Sequence, residues 1–597
     1  MSNDVKKIPY GISDFETLRT KNYYYVDKTR FVRKIEEAGR YVFLLRPRRF
    51  GKSLFANALA AYYDVKMADK YERIFKGLDI YDNPTEERSQ YMVLKFNFSA
   101  VDSVPKKMEE SFSEEIKSTI EYFIAKYEDL LPPESKEKIT SASNGNIAFT
   151  RLVKLVKQTS HRIYLIIDEY DNFANSLLSY DEAGYKMLTH GTGFFRLFFN
   201  QIKEATTDND AVISRMFITG VTPLALSDVT SGFNIGMNLS MKPQFNEVMG
   251  FTEGEVRTML EYYRDEKGTF QHSVDQIMED IKPYYNNSCF AEECIGRDRM
   301  FNSDMALYFV NNYLPLGQYP KPMIDPNVTS DMNKVRKLLS YDRSTGKKGE
   351  LVEQIFNNGH VRSLVTPEFK LEDLGKKSSQ VSLMYYLGLL SYGRNDDGKD
   401  ALIITNQVVR EQYFTYLVDY YERYAGWHTD SDELSDMGLD ANENGQILPL
   451  LTYICDQMRE QTSNRDFNRE GESFVKGYVT ATIGNNNAWF VCRTEQELNH
   501  GYTDIALRPL QNGKHAYLVE LKYLKPSAPD DEVTDCFNQS VDQLRTYAAS
   551  HPYVRECEDH GWTLHNIALV IRGWKMARLE ELTINNYGPT TTLTINS

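Results

Sequence analysis

Residues 42–53 read VFLLRPRRFGKS, and no other stretch restricts the fold as strongly. An apolar run ends in a short basic loop that closes on Gly51-Lys52-Ser53, and a helical run, LFANALAAYY, follows at once. Strand, glycine-ended loop and helix in that order form a cradle for phosphate, with the helix N-terminus adding its dipole. In such a cradle Gly51 lets backbone N–H groups approach the phosphates. Lys52 reaches the β- and γ-phosphates, and Ser53 sits on Mg²⁺. The general pattern opens with glycine, whereas Arg46 stands there here. ATP with Mg²⁺ is the cofactor pair this block predicts.

The first 260 residues alternate short apolar runs with helical patterns, which predicts an α/β domain with a mostly parallel sheet. Expected strands are Tyr41–Leu45, Tyr91–Asn97, Ile163–Asp168 and Arg215–Thr219, and Lys106–Tyr127 is an expected helix. The run IYLIIDEYD, residues 163–171, reads as a buried strand closing on Asp168-Glu169. A carboxylate pair there suits the other half of a nucleotide site: Asp168 to hold Mg²⁺ and Glu169 to polarise the attacking water. Each piece alone also reads as an ordinary strand ending in a solvated turn; their order and separation favour the site. Thr219, ahead of Gly220, stands where a sensor of the γ-phosphate can sit. Arg46, Arg48 and Arg49 suit phosphate through their fork geometry, or equally anchor the loop through salt bridges. The candidate nucleotide contacts are Arg46, Pro47, Arg48, Arg49, Phe50, Gly51, Lys52, Ser53, Asp168 and Thr219.

At 597 residues, and about 150 residues per domain, several domains are expected. With 69 Lys and Arg against 84 Asp and Glu, the net charge of −15 counts against a protein that coats nucleic acid by bulk charge. The charge is patchy, since residues 19–52 hold eleven Lys or Arg against three Asp or Glu. The six cysteines form no C-x-x-C, and H-E-x-x-H is absent, so a reducing cytoplasm is the expected compartment. No apolar run approaches the roughly 20 residues of a membrane span, and no membrane association is expected. The start, MSNDVKKIPYGISDFE, has no apolar core of a secretory signal.

From about 250 to 430 the pattern is mostly helical. Within it Lys376–Leu390 reads as a helix, and Leu389–Tyr392 with Ala401–Thr405 as a hairpin around Asn395-Asp-Asp-Gly398. Helix then hairpin is compatible with a small winged-helix-like module. The acidic, polar stretch 428–446 is the expected linker. The expected domains are therefore 1–250, a 251–430 helical lid with the winged-helix-like region, and 447–597, a separate α/β unit.

That last unit carries a second constellation. Tyr502–Pro509 and His515–Lys522 read as two strands around Gln511-Asn512-Gly513. Val519-Glu520-Leu521-Lys522 places Glu520 and Lys522 on one face of a strand, because strand side chains alternate. Asp504 on the neighbouring strand can complete a carboxylate pair for Mg²⁺, which would activate water and offset charge on a scissile phosphate. Lys522 would orient water or stabilise the charged phosphorus centre. Glu472, in the helical run Glu470–Ile483, could help hold metal, and Gln539 and Gln543 share a helix face near the site. A strict two-residue turn at Asn512-Gly513 would put Asp504 opposite Leu521, facing away from Glu520. A shared metal site therefore predicts a three- or five-residue turn or a bulge. Read as isolated letters, the same residues make a surface hairpin. The apolar Ala516-Tyr-Leu-Val519 argues instead for a buried strand, where charges need a reason. Residues 447–597 carry 14 basic and 19 acidic side chains, a net −5, which weighs against tight DNA binding by this unit alone.

Together these blocks resemble bacterial proteins, common in Bacteroidetes, that join an N-terminal AAA-ATPase-like domain to a C-terminal PD-(D/E)XK nuclease-superfamily domain. The resemblance is carried by IPYGISDFETLR (8–19), YVDKT (25–29), RPRRFGKS (46–53), LIIDEYDN (165–172), FITGVTPL (217–224) and GFT (250–252), then GYTDIAL (501–507) and LVELKY (518–523). It accounts for Arg46, since that family opens its phosphate loop with Arg-Pro. It implies a P-loop AAA-like ATPase domain, a helical middle region and a restriction-endonuclease-like α/β domain. It implies nucleotide and Mg²⁺ roles for Lys52 and Ser53, Walker B roles for Asp168 and Glu169, and nuclease roles for Asp504, Glu520 and Lys522. Glu472 would stand for the first nuclease motif and Gln543 for the last.

The leading expectation is an ATPase coupled to a Mg²⁺-dependent nuclease acting on nucleic acid, DNA ahead of RNA, with a homo-oligomer among the expected assemblies. The alternative is an ATP-dependent switch whose C-terminal fold binds a partner or nucleic acid without cutting. A scaffold in which both sites are remnants is the third reading.

Overall fold

The computed structural model describes residues 5–102, 104–174, 182–189, 193–207, 210–229, 235–297, 299–320, 323–325, 327–328, 350–395, 397–425, 430–461, 472–485, 489–497, 502–510, 513–548, 552–582 and 592–594. The chain divides into two compact units, Met1–Gly346 with Ser363–Gly393, and Lys347–Arg362 with Arg394–Ser597.

In the first unit all four expected strands form: β1 (Tyr41–Leu45), β2 (Tyr91–Asn97), β3 (Arg162–Asp168) and β4 (Ile213–Gly220). A short fifth, β5 (Met237–Asn238), joins them in the order β2-β3-β4-β1-β5, and every pairing is parallel. Near-continuous apolar runs are what a parallel sheet covered on both faces requires. Val42, Leu44, Tyr164, Ile166 and Phe217 pack with Phe55, Leu59 and Tyr63 of the helix Lys52–Tyr63. On β2, Phe96 meets a ring cluster formed by Phe112, Phe149 and Phe198, from the helices Pro105–Lys126, Gly145–Val156 and Phe194–Ala205. The order places β4 between β1 and β3. The phosphate-loop candidate and the acidic pair therefore leave the same end of the sheet on either side of a shared neighbour, as open α/β sites do.

The helix expected near 376–390 spans Lys377–Tyr386. Two strands follow, with β6 (His360–Val361) before it in the chain: β7 (Leu390–Arg394) and β8 (Asp400–Ile404). The turn after β7 is closed by Asn395 N–H to Lys399 O at 2.9 Å and Gly398 N–H to Asn395 O at 2.8 Å. β6 pairs antiparallel with β8.

The second unit is built on a six-stranded mixed sheet in sequential order: β9 (Phe490–Glu497), β10 (Tyr502–Pro509), β11 (His515–Leu524), β12 (Thr563–Arg572), β13 (Lys575–Leu582) and β14 (Thr592–Thr594). All pairings are antiparallel except β11 with β12. That parallel step needs a crossover, supplied by the helices Asp530–Ala548 and Pro552–His560. Val533, Phe537 and Leu544 of the first of these pack with Ala516 and Leu518 of β11 and Ala568 and Val570 of β12.

Two expectations need correction. The stretch 428–446 is not a linker: its described part is the helix Ser431–Asn444. Asp430 caps it, accepting from the N–H groups of Asp432 and Glu433, and Gly445 ends it in the left-handed conformation at φ 76°. Acidic residues in the first turn suit the helix dipole, and Leu434 and Ala441 give it a buried side, so charge here marks a helix start. The unit boundaries also fall elsewhere than at 250, 430 and 447. The second unit takes in Lys347–Arg362 and everything from Arg394, including the helix Gln407–Ala425. That helix packs so closely on Glu472–Asn485 that a Cβ on Gly484 would lie 2.4 Å from the Phe414 ring.

Candidate active sites

The loop after β1 leads directly into the helix Lys52–Tyr63. Gly51 adopts φ 86° and Arg49 φ 67°, so the chain turns sharply before the helix that starts at Lys52. Lys52 is buried, and its Nζ donates to Pro47 O at 3.0 Å. Burial pulls the Lys52 ammonium below its ordinary range, and the charges of Glu169, Asp168 and Asp171 oppose that fall. Ser53 and Lys52 line, with Glu169, a cavity of about 270 Å³ whose wall includes Tyr24, Tyr25 and Phe251. Phe50 is buried, with its ring edge-on to Phe290 at 5.3 Å.

The three arginines act chiefly as anchors of the loop. The Arg46 guanidinium is fully buried, donates to Leu45 O, Ser240 O and Phe245 O, and lies 4.1 Å from the Phe290 ring centre. Burial pulls it down to about 10. Arg48 donates to Asn172 Oδ1 at 3.1 Å, and Arg49 to Asp304 Oδ2 at 2.5 Å. Thr219 is buried too, its hydroxyl donating to Leu44 O at 2.8 Å, which ties β4 to β1. Of the expected phosphate-facing groups, Arg46 and Thr219 thus have their side-chain donors turned into the protein.

Asp168 closes β3 with no exposed surface, and neither carboxylate oxygen has a hydrogen-bond partner. Buried carboxylates without donors are rare, and a cation is the usual reason for one. Together with the Ser53 hydroxyl at the helix start, this donor set fits Mg²⁺. Glu169 adopts φ 51°, a left-handed conformation costing about 1 kcal/mol or more for a residue with a Cβ. Burial pushes its carboxyl above the ordinary range, with Lys52 opposing. Asp171, unremarked in the sequence, organises the turn after β4. It is buried and accepts from the N–H groups of Val221 and Thr222 and from the Thr222 hydroxyl.

In the second unit, β10 and β11 pair as Ile505↔Val519, Ala506↔Leu518 and Leu507↔Tyr517. Continuing that register places Asp504 opposite Glu520. The strands end at Pro509 and resume at His515, a five-residue connection of the kind a shared face demanded. Gln511 and Asn512 lie outside the described residues. The pairing of these strands runs from Leu507 to Ile505, and Leu521 N–H donates to Asp504 Oδ2 at 2.7 Å. Lys522 Nζ donates to Glu520 Oε1 at 2.8 Å. Glu520 is buried, and its Oε2 has no partner. Burial, and then the Asp504 charge, pushes the Glu520 carboxyl up to about 7, against the pull of Lys522. Two carboxylates from adjacent strands with an unpartnered oxygen fit a hard divalent ion such as Mg²⁺.

Glu472 opens the helix Glu472–Asn485, but its side chain lies outside the described residues. From the next turn Lys476, not anticipated from sequence, reaches Asp504 Oδ1 at 2.6 Å. Gln543 sits on the crossover helix with a buried Oε1 that has no partner, whereas Gln539 is exposed.

Residues 9–230 match the family described as Predicted AAA-ATPase, and residues 470–581 match the PD-(D/E)XK nuclease superfamily. The chain therefore carries an AAA-ATPase-like domain followed by a PD-(D/E)XK nuclease-superfamily domain. An uncharacterized protein from the vnfD 5′ region of Azotobacter chroococcum mcd 1 is 28% identical over 256 residues, covering 42% of this chain and 44% of that protein. The chain thus spans less than half the length of that relative. Among solved structures, the Aeropyrum pernix ORC2 protein in its ADPNP–ADP complexes overlaps 70% of this chain and 97% of its own, at 12% identity. Its TM-score is 0.26, too low to bear on the fold. Among the described residues no helix is long and apolar enough to cross a membrane.

Proposed function

We propose that this chain binds and hydrolyses ATP at the loop before Lys52 and couples that cycle to Mg²⁺-dependent hydrolysis of nucleic-acid phosphodiesters at Asp504, Glu520 and Lys522. The observation that supports the nuclease half is Glu520 Oε2, buried without a donor on the strand that pairs with the one carrying Asp504. In the first unit Lys52 would leave Pro47 O for the β- and γ-phosphates, and Ser53 and Asp168 would hold the ion. Glu169 would polarise water, and the aromatic wall of the cavity would receive the base. In the second unit Asp504 and Glu520 would hold the metal, and Lys522 would orient water or a phosphoryl oxygen. Bound Mg²⁺ supplies charge neutralisation and a more acidic water. DNA is the expected substrate ahead of RNA.

A second reading, an ATP-dependent switch that binds a partner or nucleic acid without cutting, is favoured by one observation: both oxygens of Asp504 already have partners within the chain. The test is a cleavage assay of the full chain on single- and double-stranded DNA and RNA. It runs with Mg²⁺ or Mn²⁺, with and without ATP, beside Lys52→Ala and Asp504→Ala. Cleavage lost in Asp504→Ala, and altered by ATP only when Lys52 is present, is the expected result. ATP hydrolysis without cleavage under any metal condition would leave the switch.

A further inference from the structure

Among the described side chains, each carboxylate of the Asp504 cluster faces an ammonium group. Asp504 Oδ1 faces Lys476 Nζ at 2.6 Å, Oδ2 accepts from Leu521 N–H at 2.7 Å, and Glu520 Oε1 faces Lys522 Nζ at 2.8 Å. Among the described side chains, Lys476 and Lys522 thus stand against Asp504 and Glu520. Lys522 belongs to the strand motif that supplies Glu520. Lys476 does not: it arrives from the helix Glu472–Asn485, 28 residues before Asp504. The contact is sheltered, the Lys476 side chain being 23% exposed and that of Asp504 9%, so it is stronger than a surface pair.

We propose that the Lys476 ammonium stands in for the divalent ion at Asp504 in the metal-free chain, so that Lys476 and metal compete for the same carboxylate. The inference rests on the reading of Asp504 and Glu520 as a metal site. A lysine suits the role physically. Its ammonium is a compact charge that can hold one carboxylate oxygen, and its four-carbon stem can swing away without moving the helix. An arginine fork would bind the carboxylate through two hydrogen bonds and release it less readily. With Lys476 in place, the Asp504 carboxylate has a cation beside it that offsets the charge of Glu520. The site is thus held together before any ion arrives, and ion entry has to displace a bonded cation.

Loss of Lys476 should act with the opposite sign to loss of an ordinary supporting residue. Removing a side chain that merely braces a metal ligand weakens metal binding; removing a competing cation strengthens it. Mn²⁺ binding to the full, nucleotide-free chain is measured by titration calorimetry in wild type, Lys476→Met, Lys476→Gln and Asp504→Asn. The Asp504→Asn variant defines which binding belongs to this site. The Asp504-dependent dissociation constant should fall about tenfold in both Lys476 variants. An unchanged or larger constant overturns the inference while leaving the metal site standing. Absence of Asp504-dependent Mn²⁺ binding in every form overturns the metal-site reading itself, and the inference with it. Should the variants fail to fold, the wild-type chain gives an independent answer through amine acylation followed by mass spectrometry. Mn²⁺ should raise the modification rate of Lys476 severalfold, and a rate unmoved by Mn²⁺ would count against displacement.

Discussion

Asp168 in the first unit and Asp504 in the second are both acids on strands of a covered sheet, both proposed to hold Mg²⁺, and they are kept in opposite states. Asp168 is wholly buried with neither oxygen partnered, while Asp504 has Lys476 on one oxygen and Leu521 N–H on the other. The Asp168 oxygens accept no hydrogen bond and stand beside a strained Glu169, whereas those of Asp504 are met from within the chain. A carboxylate at a candidate metal position is therefore not one kind of group. What its neighbours do with its lone pairs decides whether a metal must first displace a partner.

The sharpest way to break this comparison is to remove each acid from the chain free of metal and nucleotide and follow urea denaturation. Asp504→Ala should destabilise by about 2–3 kcal/mol, because it removes a sheltered partner of the Lys476 ammonium and the acceptor of the Leu521 N–H. Asp168→Asn should leave the chain at least as stable, because it replaces a buried charge that has no donors. Equal losses at both positions would end the distinction.

Glu520 sharpens the comparison through pH. Its carboxyl titrates at about 7 in the fold and near 4 when unfolded, so the neutral form is the one the fold favours. The stabilisation this confers is complete below about pH 4 and is lost as pH rises through about 7. In EDTA, Glu520→Gln should thus be more stable than wild type at pH 8 by about 1–3 kcal/mol, with the difference shrinking toward pH 5. A difference independent of pH would mean that Glu520 is ionised throughout, as a second carboxylate satisfied from within the chain.

The smallest expected effect concerns the frame of the second unit. Asp430→Ala removes the cap of the helix Ser431–Asn444 and should cost about 1 kcal/mol in that unit's unfolding transition. ATP-dependent stabilisation of the first unit should be unaffected. A loss shared by both would show that the two units unfold as one.

Much of this was legible in the residues themselves. The strands β1 and β2 end where their apolar runs end, because a covered parallel strand must be apolar along its length. Gly51-Lys52-Ser53 sets its own turn and helix start. Because side chains alternate with period two, the demand that Asp504 and Glu520 share a face called for a three- or five-residue connection or a bulge in place of a two-residue turn, and five residues join the strands. These are local rules, acting over a few residues of covalent chain.

What the tertiary structure alone decided concerns partners distant in sequence. Arg46 reads equally as a phosphate ligand or an anchor of the loop, and its guanidinium is held by the carbonyls of Ser240 and Phe245, some two hundred residues away. Asp171 found its donors at Val221 and Thr222, and the acidic stretch read as a linker became a capped helix. Lys476 met Asp504 across 28 residues, and nothing in its own segment distinguishes it from a solvated lysine. Sequence periodicity says which face of an element a charge occupies. Whether that charge is solvated, paired or left wanting a cation depends on what the packed chain places within three ångströms of it, and that is settled only when distant elements come together.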